Sequence, residues 1–153
     1  MLAPLRSFLK NPEPSLTEAV GVRRGGFVAM FLAQSGVALL LLSILSAVAG
    51  RGSAGPLLSQ ILVVLALLQI PVAALIAHAS SRAGGKGAAL SATIMAGVML
   101  ATPAWFLAFA LLVGSGTLYI FLLLAVLVNA YAVGFFLCGQ FARAALVVQA
   151  PIT

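Results

Sequence analysis

Residues 118–140 read LYIFLLLAVLVNAYAVGFFLCGQ, a run of 23 residues that contains no Asp, Glu, Lys or Arg. A helix of this length measures about 35 Å at ~1.5 Å per residue, enough to cross a hydrocarbon core about 30 Å thick. Three further runs are at least as long and also lack charged residues; they cover residues 26–49, 56–79 and 88–113. The apolar residues are continuous rather than alternating, which favours helices over the strands of a membrane barrel. The sequence therefore predicts an all-α integral membrane protein with four antiparallel transmembrane helices and a short N-terminal amphipathic segment.

The composition supports the same class of protein. Only 7% of the 153 residues are charged and 63% are hydrophobic, whereas a soluble domain carries about 25% charged residues. A net charge of +6 would suggest nucleic-acid binding in a soluble protein. Here the basic residues stand between apolar runs, which indicates contact with lipid headgroups and excludes nucleic acid as a partner. The lone Cys138 excludes an internal disulfide and a thiolate metal cluster.

The basic residues also predict the orientation of the chain in the membrane. Seven of the eight fall on one side when the segments between spans are counted alternately, and only Arg51 falls on the other. The seven are Arg6, Lys10, Arg23, Arg24, Arg82, Lys86 and Arg143. Because basic loops stay in the cytoplasm, both termini are predicted to be cytoplasmic, in a bacterial inner membrane. Arg23, Arg24, Arg82 and Lys86 are the predicted headgroup contacts. The short loops predict that consecutive helices are neighbours.

The segment before the first span has a different pattern. Leu2, Leu5 and Leu9 recur at helical spacing in residues 1–24, which predicts an amphipathic helix in the membrane interface. A break at 11–14 precedes Ser15-Leu16-Thr17-Glu18, a capping-box sequence that predicts a second short helix. The predicted organisation is an interfacial segment over 1–24, a bundle over 25–148 and a tail over 149–153.

Small residues recur every four positions on three of the spans, where they let helices approach closely. The predicted helix-packing residues are Ala89, Thr93, Gly97 and Ala101 on the third span and Ala130, Gly134 and Cys138 on the fourth. A shorter stripe on the first span consists of Gly25, Ala29 and Ala33. With three stripes among four helices, one could be left for a partner.

Three amides, Gln34, Gln69 and Asn129, are predicted to lie well within the bilayer. One interpretation is hydrogen bonding between helices, worth about 0.6 kcal/mol on average. The other is a polar path for a small solute. Pro71 and Pro103 lie inside the second and third spans, where proline tends to kink a helix.

His78 is the only histidine and the one residue that could hold a haem, a metal or a pigment. An interfacial hydrogen bond is the alternative role. The spans carry no set of residues for nucleophilic or acid–base catalysis, so an enzyme is not predicted and no cofactor is required.

Residues 71–103 resemble bacterial members of the YIP1 family of small polytopic membrane proteins. The resemblance lies in an apolar helix ending in Ala77-His78-Ala79-Ser80-Ser81-Arg82, a Gly84-Gly85-Lys86-Gly87 turn, and a proline about 16 residues into the next helix. It implies a role in membrane organisation or interaction.

The leading functional hypothesis is a non-enzymatic membrane interaction or accessory protein, either a subunit of a larger complex or a homo-oligomer. A small-solute transporter or channel lined by the three amides is one alternative. A cofactor- or pigment-holding subunit of a photosynthetic or respiratory complex, acting through His78, is the other.

Overall fold

The computed structural model describes residues 15–49, 52–53, 55–81 and 85–147. These residues form five α-helices and no strand: α1 (Leu16–Ala49), α2 (Pro56–Ser81), α3 (Gly85–Leu100), α4 (Thr102–Leu112) and α5 (Thr117–Val147). Four segments are long and apolar enough to cross a membrane: Leu16–Val48, Pro56–Ala79, Leu90–Leu112 and Thr117–Gln140. The predicted fold class of four membrane-spanning helices is confirmed. The amphipathic helix predicted before residue 15 and the tail predicted over 149–153 lie outside the described residues.

Helix α1 begins at the predicted capping box. The backbone N–H of Glu18 donates to Ser15 Oγ at 3.2 Å, which satisfies one of the free donors of the first helical turn. The helix then continues for 34 residues to Ala49, because no proline interrupts it. The second short helix and the first span are therefore one helix of about 51 Å. The predicted boundary at residues 24 and 25 falls inside it.

The third span is interrupted where Pro103 enters it. Proline has no N–H to donate to the carbonyl four residues earlier, which here belongs to Met99. The chain turns at Ala101, whose N–H donates to the Gly97 carbonyl at 3.2 Å and whose carbonyl accepts from Ala104 N–H at 2.9 Å. Helices α3 and α4 thus form one span in two pieces. By contrast, α2 continues through Pro71 as a single helix.

The two-piece third span lies at the centre of the bundle. Half of its residues are buried, against 17–22% in the other three spans. Both α3 and α4 contact α1, α2 and α5, and α5 also contacts α1 and α2. Among the described residues, α1 and α2 make no extensive contact with each other. The prediction that consecutive helices are neighbours is therefore wrong for this pair, because the third span and α5 lie between them.

A set of contacts that we call the loop clasp ties residues 52–53 to residues 110–116 at one end of the bundle. Gly114 takes φ +72°, and the N–H groups of Gly114 and Ser115 donate to the carbonyls of Leu111 and Ala110. This is a Schellman motif, which closes the C-terminus of α4. The Gly52 N–H donates to the Leu112 carbonyl at 3.1 Å. The segment between α1 and α2 is thereby joined to the C-terminal end of α4.

Two side-chain pairs reinforce the loop clasp. Ser59 Oγ donates to Ser115 Oγ at 2.9 Å, and both residues are buried. Gln60 Nε2 donates to Tyr119 Oη at 3.3 Å nearer the surface. The α2–α5 interface is thus held by polar contacts at this end and by apolar packing further in, where Ala66 and Leu123 are fully buried.

Candidate functional site

The small residues of the third span and α5 are used inside the bundle. Thr93, Gly97 and Ala101 are buried, as are Ala130, Gly134 and Cys138. A Cβ added at Gly97 would stand 3.1 Å from the Phe27 carbonyl oxygen. These two stripes therefore face other helices of the same chain. Ala89 belongs to α3, but its side chain lies outside the described residues.

An aromatic cluster surrounds this packing. Phe27 and Phe31 of α1 meet Tyr131 of α5, with ring centroids 5.9 and 5.3 Å apart respectively. Tyr131 also stacks on Phe135 at 6.1 Å. Such tilted and edge-on pairs contribute beyond their buried area. The cluster fixes the N-terminal half of α1 against the C-terminal half of α5.

The stripe on the first span has a different environment. The predicted residues Ala29 and Ala33 lie on one face of α1 with Gly26 and Gly36, at spacings of three and four, whereas the predicted Gly25 is half-buried beside this set. We call this set the α1 small-residue face. Gly36 lies nine residues after the buried Phe27, a rotation of about 900°, so it points about 180° away from the bundle. Ala33 and Gly36 are exposed, and a Cβ added at Gly26 or Gly36 meets nothing within 4 Å.

The outward faces of α2 and α5 carry large side chains instead. On α2 these include Leu57 and Leu75, which are 70% and 68% exposed, and on α5 they include Leu118 and Phe136, at 67% and 65%. Bulky apolar residues of this kind suit contact with lipid tails. The α1 small-residue face differs from both over residues 26–36, although Leu32 and Leu40 beside it on α1 are also large and are 60% and 63% exposed.

The hydrogen bonds of the three predicted amides, within the described residues, do not join them to one another. Gln34 Oε1 accepts from Trp105 Nε1 at 3.4 Å, a bond between α1 and α4. Asn129 is exposed, and its Nδ2 donates to the carbonyl of Ala125 on its own helix at 2.8 Å. Gln69 is half-buried on α2.

A groove runs between α1 and α4 on the side of the bundle that carries Trp105. Its lining is apolar and consists of Ala38, Leu41, Leu42, Leu45, Trp105, Ala108, Phe109 and Leu112. None of the three amides lines it. The solute path therefore stays a prediction that this groove does not support.

Two arginines lie where α1 meets the C-terminal part of α5. Arg23, one of the predicted headgroup contacts, is only 2% exposed. Its Nε and Nη1 have no hydrogen-bond partner in the described part of the chain. The Arg24 guanidinium lies over the Phe135 ring, 4.3 Å from its centroid. Of the other predicted headgroup contacts, Arg82 lies outside the described residues and Lys86 has no described side chain.

His78 is exposed near the C-terminal end of α2. Within the described residues, no group of three or more His, Cys, Asp or Glu side chains is placed to hold a metal ion. A cofactor role for His78 therefore stays a prediction.

Sequence reasoning missed two features of this region. The first is the burial of Arg23, because charges that precede a span are ordinarily interpreted as topology signals. The second is the composition of the α1 small-residue face, which contains Gly26 instead of the predicted Gly25 and extends to Gly36. The alternating spacing of three and four from Gly26 onward could have revealed it.

Comparison of the chain with protein-family models, with curated proteins and with solved structures gave no match. The class of protein therefore follows from the fold itself. Four helices of spanning length with large apolar side chains on their outer faces define a multi-pass α-helical membrane protein.

Proposed function

We propose that this protein is a non-enzymatic interaction protein of the membrane, which binds another transmembrane helix through the α1 small-residue face. The helix belongs either to a second copy of the chain or to another subunit of a complex. The observation that carries the proposal is the open surface over Gly26 and Gly36, where an added Cβ would meet nothing within 4 Å.

The energetics of glycine support this interpretation. A glycine inside a helix costs about 1 kcal/mol relative to alanine, and no contact with the described residues requires one at Gly36. Gly97 and Gly134, by comparison, have close neighbours that exclude a side chain. A second helix packed on the α1 face would give Gly36 the same role, because small residues permit close approach and good dispersion contacts in a membrane.

Cysteine cross-linking in native membranes tests the proposal. Cys138 is the only cysteine, so a Cys138→Ala background makes each introduced thiol unique. Ala33→Cys and Gly36→Cys are expected to form a disulfide-linked dimer, or an adduct with a defined second protein, under mild oxidation. Ala132→Cys on α5 is the matched control, because Ala132 is also small and exposed but lies on another helix.

A bulky substitution provides the complementary measurement. Gly36→Leu is expected to reduce cross-linking at Ala33→Cys several-fold, whereas Ala132→Leu leaves it unchanged. If neither thiol on α1 cross-links above the Ala132→Cys control, the α1 face is a lipid-facing surface and the proposal fails.

We also propose that both termini face the cytoplasm of a bacterial cell, with the chain in the inner membrane. The distribution of seven basic residues against one supports this orientation. In the same Cys138→Ala background, Ser53→Cys is expected to react with a membrane-impermeant maleimide added outside spheroplasts, and Arg82→Cys only after lysis. The reverse pattern of labelling would invert the orientation.

A further inference from the structure

The buried arginine on α1 lacks a counter-charge among the described residues. Glu18 is the one carboxylate there, and it lies five residues before Arg23 on the same helix. Five residues rotate through about 500°, so the two side chains leave the helix about 140° apart. An arginine that stays charged when buried is costly unless an anion and hydrogen-bond acceptors are supplied.

Arg24, the next residue on α1, contacts α5. Its guanidinium is held over the Phe135 ring, and its Nε is buried without a hydrogen-bond partner among the residues that the structure describes. Its Nη2 lies 3.8 Å from where a Cβ would stand on Gly139. Cys138, one residue earlier on α5, is within electrostatic range of Arg23. Two guanidinium groups thus lie where α1 meets the C-terminal part of α5, and three of their nitrogen atoms are buried without a hydrogen-bond partner in the described part of the chain.

We propose that Arg23 and Arg24 form a binding site for a phosphate-type oxyanion between α1 and α5. A guanidinium presents its N–H groups in a planar fork that matches phosphate oxygens. Contact with the Phe135 face holds the Arg24 plane in place, so one half of the site is pre-organised. The site does not depend on the α1 small-residue face, and its test is independent of self-association.

The position of Arg23 and Arg24 along the membrane normal is one that a phosphate group can reach. Arg23 precedes the apolar Phe27 by four residues, which is about 6 Å along the helix. This places the guanidinium groups next to the apolar part of α1, where the headgroup region of a bilayer begins. A phosphodiester of an anionic phospholipid and a free phosphate group can both reach this level, and both present the same oxygens.

Lipid and phosphate binding to the purified, delipidated protein tests the site. Native mass spectrometry measures the affinity for phosphatidylglycerol, with phosphatidylcholine as the neutral-headgroup comparison. Thermal unfolding measures the shift that inorganic phosphate produces. Arg23→Gln and Arg24→Gln remove one charge each from the site, and Arg51→Gln removes one charge from the segment between α1 and α2 as the matched control.

Phosphatidylglycerol affinity that falls about tenfold or more in Arg23→Gln, but not in Arg51→Gln, supports the site with a lipid as its source. A rise in unfolding temperature with inorganic phosphate that Arg23→Gln abolishes supports it with a free phosphate as its source. Equal affinities in Arg23→Gln, Arg24→Gln and the control, together with no phosphate-induced shift in the wild type, overturn the proposal.

A second substitution covers the case in which Arg23→Gln fails to fold. Arg23→Lys keeps the charge but loses the fork, so a several-fold loss of anion affinity with normal folding is expected. If Arg23→Lys binds both probes as the wild type does, and Arg24→Gln does too, the site is overturned.

Discussion

The ring of Phe27 on α1 occupies the space directly over Gly134 of α5, where any other residue would place a side chain. A Cβ built on Gly134 overlaps this ring and stands 2.8 Å from Leu100 Cδ1. Phe27 itself is fully buried. One glycine therefore allows α1, the third span and α5 to meet at a single point, and the aromatic cluster is built around it.

Gly134→Ala is expected to destabilise the bundle. Overpacking a core by one methyl group typically costs about 1–3 kcal/mol, and the gain in helix propensity returns only about 1 kcal/mol. The Phe27 ring cannot move away easily, because Phe31 and Tyr131 pack against it at 5.7 and 5.9 Å. The measurement is the midpoint of thermal unfolding in a mild detergent.

Gly36→Ala is the control for this substitution, measured at a protein concentration low enough to keep the chain monomeric. An added Cβ at Gly36 meets nothing within 4 Å, so the midpoint is expected to stay the same or rise slightly. A fall as large as that of Gly134→Ala would show that loss of glycine, rather than overlap with Phe27, is responsible.

Gly114→Ala is expected to weaken the loop clasp. Its φ of +72° disfavours any residue with a Cβ by about 1–2 kcal/mol, and the new methyl group would overlap the carbonyl oxygen of Gly52. The hydrogen bond from Gly52 N–H to Leu112 would be lost first. Hydrogen–deuterium exchange at Gly52, together with the unfolding midpoint, measures the change.

Gly116→Ala tests whether the loss of protection at Gly52 results from the positive φ of Gly114 or simply from replacing a glycine in this turn. It lies two residues further along the same turn, and its nearest neighbour is Tyr119 Cδ2 at 3.8 Å from the added Cβ. Protection at Gly52 should therefore be preserved. Equal loss of protection in both variants would contradict the role assigned to Gly114.

The number and placement of the spans could be predicted from sequence because each is a local property. A charge-free run such as 118–140 is long enough, as a helix, to cross the hydrocarbon core of a bilayer, and this does not depend on the rest of the sequence. The N-terminal cap at Ser15 was also local, since it needs only Glu18 three residues later. The continuation of α1 beyond this cap was missed because residues 15–24 were interpreted apart from the span that follows.

The arrangement of the helices could not be predicted in the same way. Which helices touch depends on side chains far apart in sequence, such as Phe27 and Gly134, and short loops do not decide it. The burial of Arg23 is a property of the same kind. Its sequence context is that of an ordinary interfacial arginine, and its burial to 2% exposure results from the packing of the helices around it.

Gln34→Leu is expected to change the fluorescence of Trp105. Trp105 is the only tryptophan, so its emission can be assigned without further substitutions. Loss of the Gln34 acceptor leaves the indole N–H without this polar neighbour, which should shift the emission to shorter wavelength. The stability change should be small, about 0.6 kcal/mol, as for other hydrogen bonds between membrane helices.

Asn129→Leu provides the comparison for the tryptophan measurement. The Asn129 amide bonds to Ala125 on its own helix, so the Trp105 emission should remain that of the wild type. An unchanged spectrum in Gln34→Leu would mean that the 3.4 Å contact does not form in the folded protein.

Ser59→Ala and Ser115→Ala are expected to lower the stability of the protein by different amounts, although their hydroxyl groups form one pair. Ser59→Ala removes the donor to the buried Ser115, and an unpartnered buried hydroxyl costs about 1–3 kcal/mol. Ser115→Ala should cost less, because Ser59 Oγ also lies 3.5 Å from the carbonyl oxygen of Gly55 and can donate there. The double variant should lie closer to the wild type than Ser59→Ala does, since it leaves neither hydroxyl behind. Unfolding midpoints of the three variants test this order, and equal losses in both single variants would contradict it.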